Sequence, residues 1–92
     1  MDFATFADSM KQQGFDQVLK RIWTPGTTVE EHTHPFDAKA LVVQGEMWLT
    51  VGDDVRHLRP GDEFALDREV PHAERYGAEG ATYWAARRNK AG

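Results

Sequence analysis

Turn signals recur along this chain at short intervals, and they restrict the architectures it can adopt. Thr24-Pro25-Gly26, Gln44-Gly45, Gly52-Asp53-Asp54, Pro60-Gly61-Asp62 and residues 77–80 each combine residues that pre-set or tolerate turn geometry. Between them lie short β-prone runs at 15–23, 27–34, 39–43, 46–51, 55–58, 63–66, 72–76 and 81–87, with an irregular loop at 67–71. Seven or eight short strands with this spacing predict an all-β sandwich or barrel. No Gly-rich phosphate loop, βαβ pattern or internal repeat interrupts the series.

The chain opens differently. In residues 2–13, Phe3, Phe6, Ala7 and Met10 fall at helical spacing, with Asp2 as N-cap and Gly14 as stop. This predicts a short amphipathic helix laid on a sheet. The run Lys39-Ala40-Leu41-Val42-Val43 is apolar on both faces after the lysine. A strand with one wet face would alternate. Both faces are therefore expected to be covered, one by the interior and the other by the helix or a second subunit. With a small core and three tryptophans, a homodimer is expected.

Ninety-two residues suit one domain over 1–92, with the barrel from about 15 to 88. A chain this short buries roughly two-thirds of its unfolded surface, so the core is modest. The net charge of −4 argues against a nucleic-acid partner. Arg87, Arg88 and Lys90 read as a solvated tail. There is no cysteine, so a metal would need nitrogen and oxygen ligands. No long apolar run or leader pattern is present, so the expectation is a soluble cytoplasmic protein with no membrane partner.

Chemistry concentrates in three histidines. His32 and His34 are two apart in a predicted strand, and such residues share a face. His72 follows Pro71 at the start of another strand, and in a small antiparallel barrel distant strands become neighbours. Three neutral imidazoles suit Zn, Fe, Ni, Mn or Cu and leave coordination positions open for chemistry. Glu74 shares the parity of His72 and could be a ligand, a partner to a ligand, or a general base. Its bland alternative is a salt bridge to Arg75 or Arg87. Tyr76 shares the parity too and could offer a phenol. Glu30 shares that of His32, although Glu30-Glu31 reads most simply as a solvated strand edge. His57, in a hairpin far from the other three, reads as a polar surface side chain or a satisfied buried one. Trp48, Trp84, Tyr83 and Phe64 read as core or dimer contacts, with a pocket lining drawn from the same set.

These residues resemble a single-domain cupin. The family's first motif, G-x5-H-x-H-x3-4-E-x6-G, is met by Gly26, His32, His34 and Gly45. Its second, G-x5-P-x-G-x2-H-x3-N, is met by Gly61 and His72. The motif's metal-binding glutamate falls on Ala38, and the second motif's proline, glycine and asparagine fall on Asp67, Glu69 and Tyr76. The resemblance implies a jelly-roll barrel with a three-histidine metal site that lacks the usual carboxylate, as in the thiol dioxygenases. Glu74, or less directly Asp37, would supply a carboxylate. Ala38, Ala40, Tyr76 and Trp48 would line the pocket. The function implied is a metal-binding cupin acting on a small organic molecule, as a dioxygenase, isomerase or lyase. The alternatives are a ligand-binding sensor, with or without metal, and a metal that only staples the domain.

Overall fold

In the computed structural model, residues 1–89 are described. Lys90 of the expected tail lies outside them. The elements are α1 (Phe3–Gln12), β1 (Gln17–Trp23), β2 (Thr28–His32), β3 (Asp37–Val51), β4 (Asp54–Leu58), β5 (Glu63–Leu66) and β6 (His72–Arg88). All strand pairs are antiparallel.

Two long strands organise the fold. The first part of β3 pairs β5 on one side and the end of β6 on the other, and β1 continues that layer. The second part of β3 pairs β4 and the start of β6, and β2 continues that layer. The architecture is the expected all-β jelly roll, with a ladder that, among the described residues, does not close into a barrel. Among the described residues, strands β1, β2, β4 and β5 each pair on one side only.

Two expected turns are absent. Gln44-Gly45 and residues 77–80 lie inside β3 and β6, which run through them. They are bends rather than reversals. β3 carries an extra residue between Val42 and Gln44, and β6 carries extra residues opposite the step from Gly45 to Met47. Gly45 and Gly80 have φ of 73° and 69°. A Cβ on Gly45 would sit 2.1 Å from the Gly80 carbonyl oxygen, and one on Gly80 would sit 2.3 Å from that of Trp23. Three backbones meet there, so only glycine fits. The bend also changes which residues face inward. Ala40 and Val42 are buried before it, Met47 and Leu49 after it.

The main core fills the space between the layers, with Val42, Met47, Leu49, Leu58, Phe64, Tyr76 and Tyr83 at its centre. A second cluster joins α1 to the outer face of the first layer through Phe6, Met10, Phe15 and Ala86, with Leu41 and Trp84 packed on it. The outer face of β3 at Leu41 thus packs against the cluster that the helix forms. Asp2 starts α1 by accepting from the Thr5 amide at 2.8 Å, and the turn ends at Gly14, whose φ is 94°.

The arginine cluster is not a solvated tail. Arg87 and Arg88 belong to β6, because β1 pairs with that strand as far as Gln17–Arg87. Arg88 donates to the Gln13 carbonyl at 2.9 Å and pairs with Asp37 at 3.6 Å. Among the described residues no helix is long and apolar enough to cross a membrane.

Candidate metal centre

His32 and His72 are register partners across the β2–β6 ladder. Directly opposed side chains on one face of such a pair have Cβ atoms about 5 Å apart, and here the imidazole centroids are 4.3 Å apart. His34 lies just beyond β2, with its ring 4.7 Å from His32 and 5.0 Å from His72. Its backbone is anchored by the Glu69 amide, which donates to the His34 carbonyl at 2.8 Å. Its ring stacks on Phe36 at 4.7 Å. One ligand atom from each histidine lies within 4.8 Å of the others.

Two ring tautomers are set by the backbone. His32 Nδ1 is 2.7 Å from the Glu30 carbonyl oxygen, and His72 Nδ1 is 2.9 Å from that of Val70. A carbonyl only accepts, so each Nδ1 carries the hydrogen and the neutral ring keeps its lone pair on Nε2. Metal-binding histidines are oriented in this way. His32 Nε2 and His34 Nε2 are 3.1 Å apart. Two nitrogens about 2.0–2.1 Å from one ion, at tetrahedral to octahedral angles, are separated by about 2.9–3.4 Å. His32 and His34 are therefore spaced as two ligands of one transition-metal ion, with His72 beside them. Burial, reinforced by the adjacent His32 and His72 rings, holds His34 below the ordinary histidine pKa. It is thus kept neutral and able to ligate.

Glu74 lies beside this cluster, 8% exposed. Its Oε2 is 3.6 Å from His32 Nε2, and its Oε1 accepts the Tyr76 hydroxyl at 2.6 Å. The carboxylate is therefore turned to the site, and the salt bridge to Arg75 or Arg87 is not formed. Tyr76 stands behind it, stacked on Trp23 at 4.9 Å, and burial pushes its phenol well above the usual tyrosine range. Its hydroxyl serves Glu74, and Tyr76 is not among the lining residues of the cavity. That cavity, about 190 Å³, opens beside the histidines; Ala38, Ala40, Phe64, Leu66, Tyr83 and Ala85 form much of its wall.

Residues 21–84 match the family described as Cupin domain. The chain belongs to the cupin family. Solved structures give this cupin similar company. It superposes on KdgF from Halomonas sp. with a TM-score of 0.67 at 20% identity, covering 79% of this chain and 69% of that one. For the DMSP lyase DddQ from Ruegeria pomeroyi the values are 0.66 and 25%, covering 77% and 36%. For a W96Y oxalate decarboxylase of Bacillus subtilis they are 0.69 and 21%, covering 76% and 20%. A 38-residue segment, 41% of this chain, is 45% identical to an uncharacterized HTH-type transcriptional regulator of Haemophilus influenzae, and spans 13% of that protein.

The cupin's departures from the motifs now have places. Ala38 lines the cavity and leaves room where the motif has glutamate. Glu69, where the second motif has glycine, has φ of 64°, so the left-handed backbone persists without the residue that favours it. Asp37 faces away from the histidines. It accepts from the Arg68 amide at 2.8 Å, and that bond, more than the ion pair with Arg68, holds its carboxyl below the usual range.

Trp48, expected in the lining, is elsewhere. The bend at Gly45 reverses the parity of β3, so Trp48 faces out, stacked on His57 at 4.5 Å and under Arg75 at 4.0 Å. His57 is a satisfied surface residue, 2.8 Å from Glu46. Glu30 has an exposed side chain, and its carbonyl is the part that serves His32. Several lining residues escaped the sequence reading, among them Arg21, Trp23, Phe36 and Arg87. The alternation of β1 carried a signal for two of them, since Leu19, Arg21 and Trp23 share a half-buried face.

Proposed function

We propose that this cupin binds a divalent transition metal (Zn, Fe, Ni, Mn or Cu) on His32, His34 and His72 and receives a small organic molecule in the adjoining cavity. The observation that supports the reading is the convergence of three imidazoles, two with their protons committed to backbone carbonyls, beside a cavity of about 190 Å³. When bound, such an ion supplies Lewis acidity to a ligand oxygen at its open positions. The remaining work falls to the chain. Glu74 is held by Tyr76 where it can take or return a proton, and the apolar wall around Ala40 and Leu66 excludes water from the ligand. Metal analysis of natively purified protein tests the site, with near-equimolar metal expected in the wild type and little in His32→Ala or His72→Ala. Wild-type protein that takes up no transition metal overturns the reading.

A second reading has its own support. The segment similar to an HTH-type transcriptional regulator favours a cupin that senses a ligand rather than converting it. Turnover separates the two, since a sensor binds its ligand and returns it unchanged. In either reading the 92 residues act as one soluble cytoplasmic domain. A homodimer is supported by Ile22, 78% exposed on the edge strand β1. Light scattering that gives a monomer mass rejects it.

A further inference from the structure

Away from the histidines, the cavity is rich in donors and poor in acceptors. Arg21 and Arg87 line it, yet neither guanidinium has an ion-pair or hydrogen-bond partner among the described residues. Each rests on an aromatic ring instead, Arg21 at 4.9 Å from Trp23 and Arg87 at 4.6 Å from Phe36. The two cations lie close enough to oppose each other. Burial first, and then the Arg21 charge, hold Arg87 below the ordinary arginine value. Trp23 adds another donor: its buried indole N–H makes no close hydrogen bond, although it interacts weakly with the Tyr83 side chain. Guanidinium and indole groups only donate. Glu74 is the one acid among the described lining residues, and it is engaged by Tyr76 and turned to His32.

Half-buried cations that repel each other and lack a counter-charge are unfavourable in the folded chain alone. An anion between them removes both defects. There is room for one, because Ala38 is the register partner of Arg87 and presents only a methyl group. A guanidinium fork matches a carboxylate in two parallel hydrogen bonds, and an aromatic platform holds the fork in place. The cavity, about 190 Å³, compares with the roughly 150 Å³ that admits benzene in another protein, so the ligand is small.

We infer that this cavity takes a small carboxylic acid, its carboxylate held by Arg21 and Arg87 and its other end directed to the three histidines. The inference rests on the cavity being the ligand site, as proposed above, and not on the presence of metal. Thermal shift and titration calorimetry on the full chain test it, with propionate, succinate and benzoate set against propionamide, succinamide and benzamide. At least one acid is expected to raise Tm while its amide does not. Arg21→Gln and Arg87→Gln should each weaken that acid by about tenfold or more, as loss of a charged hydrogen-bond partner does. Arg87→Lys, which keeps charge but loses the fork, should fall between. If Arg87→Gln does not fold, Arg21→Gln carries the comparison. Acids and amides that bind alike, acids that bind both variants as well as wild type, or no acid that binds at all would each overturn the inference. Metal-stripped protein keeps the two ideas apart. Arginine-dependent acid binding there would survive failure of the metal reading, and metal uptake without a preference for acids would sink only the present one.

Discussion

The Tyr76 hydroxyl donates to Glu74 Oε1 at 2.6 Å, inside the core and directly behind the three histidines. One carboxylate oxygen is thereby committed to the phenol, and the other is left toward His32. This fixes the rotamer of the only acid lining the site, among the described residues. A buried carboxylate oxygen that loses such a donor costs about 1–3 kcal/mol. Tyr76→Phe is therefore expected to lower stability by about that amount in urea denaturation. An unchanged midpoint would show that Glu74 does not depend on the phenol.

Chelation is expected to lower Tm, because an ion bound only by the native state stabilises it by mass action, by about 4 kcal/mol at a thousandfold excess over Kd. His32→Ala should have a lower Tm than wild type in the presence of metal and respond little to chelator. A chelator effect of equal size in the two proteins contradicts ligation by His32.

Acid should release the metal, since imidazole binds it only when neutral. His34 is shifted downward, so it stays neutral to lower pH than a free histidine. In the unfolded chain it takes up a proton near pH 6.5, before the folded chain does. Its contribution to stability is therefore complete above that pH and is lost as pH falls toward the lowered folded value. Both metal content and Tm of metal-free protein should decline on the acid side of pH 6.5, with His34→Gln removing part of the Tm dependence. Metal retained at pH 4.5 or so, two units below the free imidazole value, would exclude histidine ligands.

Two backbone substitutions should act in opposite directions. Gly45→Ala puts a methyl group against the Gly80 carbonyl at a residue with φ of 73°, so a loss of at least about 2 kcal/mol is expected. Glu69→Gly relieves a left-handed non-glycine residue with φ of 64° and should gain about 0.5–1 kcal/mol while leaving the amide bond to His34 intact. Denaturation midpoints measure both. A Glu69→Gly protein less stable than wild type would mean that the carboxylate has a partner whose loss outweighs the relief.

Much of this cupin was legible before its coordinates. The period of α1, its cap at Asp2, most strand positions and the shared parity of His72 and Glu74 all follow from local chemistry, which sequence records directly. The errors share one cause. Gly45 and Gly80 look like turn residues because positive φ serves turns, yet it serves equally well where two long strands bend past each other. Spacing cannot tell these cases apart, because the difference lies in a contact between distant backbones. Misreading the bend misplaced everything whose parity depended on it, Trp48 above all. Arg87 was misread for a related reason. A basic run near the end of a chain looks solvated unless its pairing with Gln17 on β1 is known.

The unclosed ladder leaves β1, β2, β4 and β5 with one unpaired margin each. Such margins invite another chain to continue the sheet, and a cupin built this way has to deter it. Its edges carry exposed Lys20, Glu30, Glu31, Arg56 and Glu63, and charge of this kind blocks templated addition of strands. The acidic pair next to His32 thus has a task unrelated to any ion: it keeps the strand that presents this imidazole from becoming the seed of an aggregate.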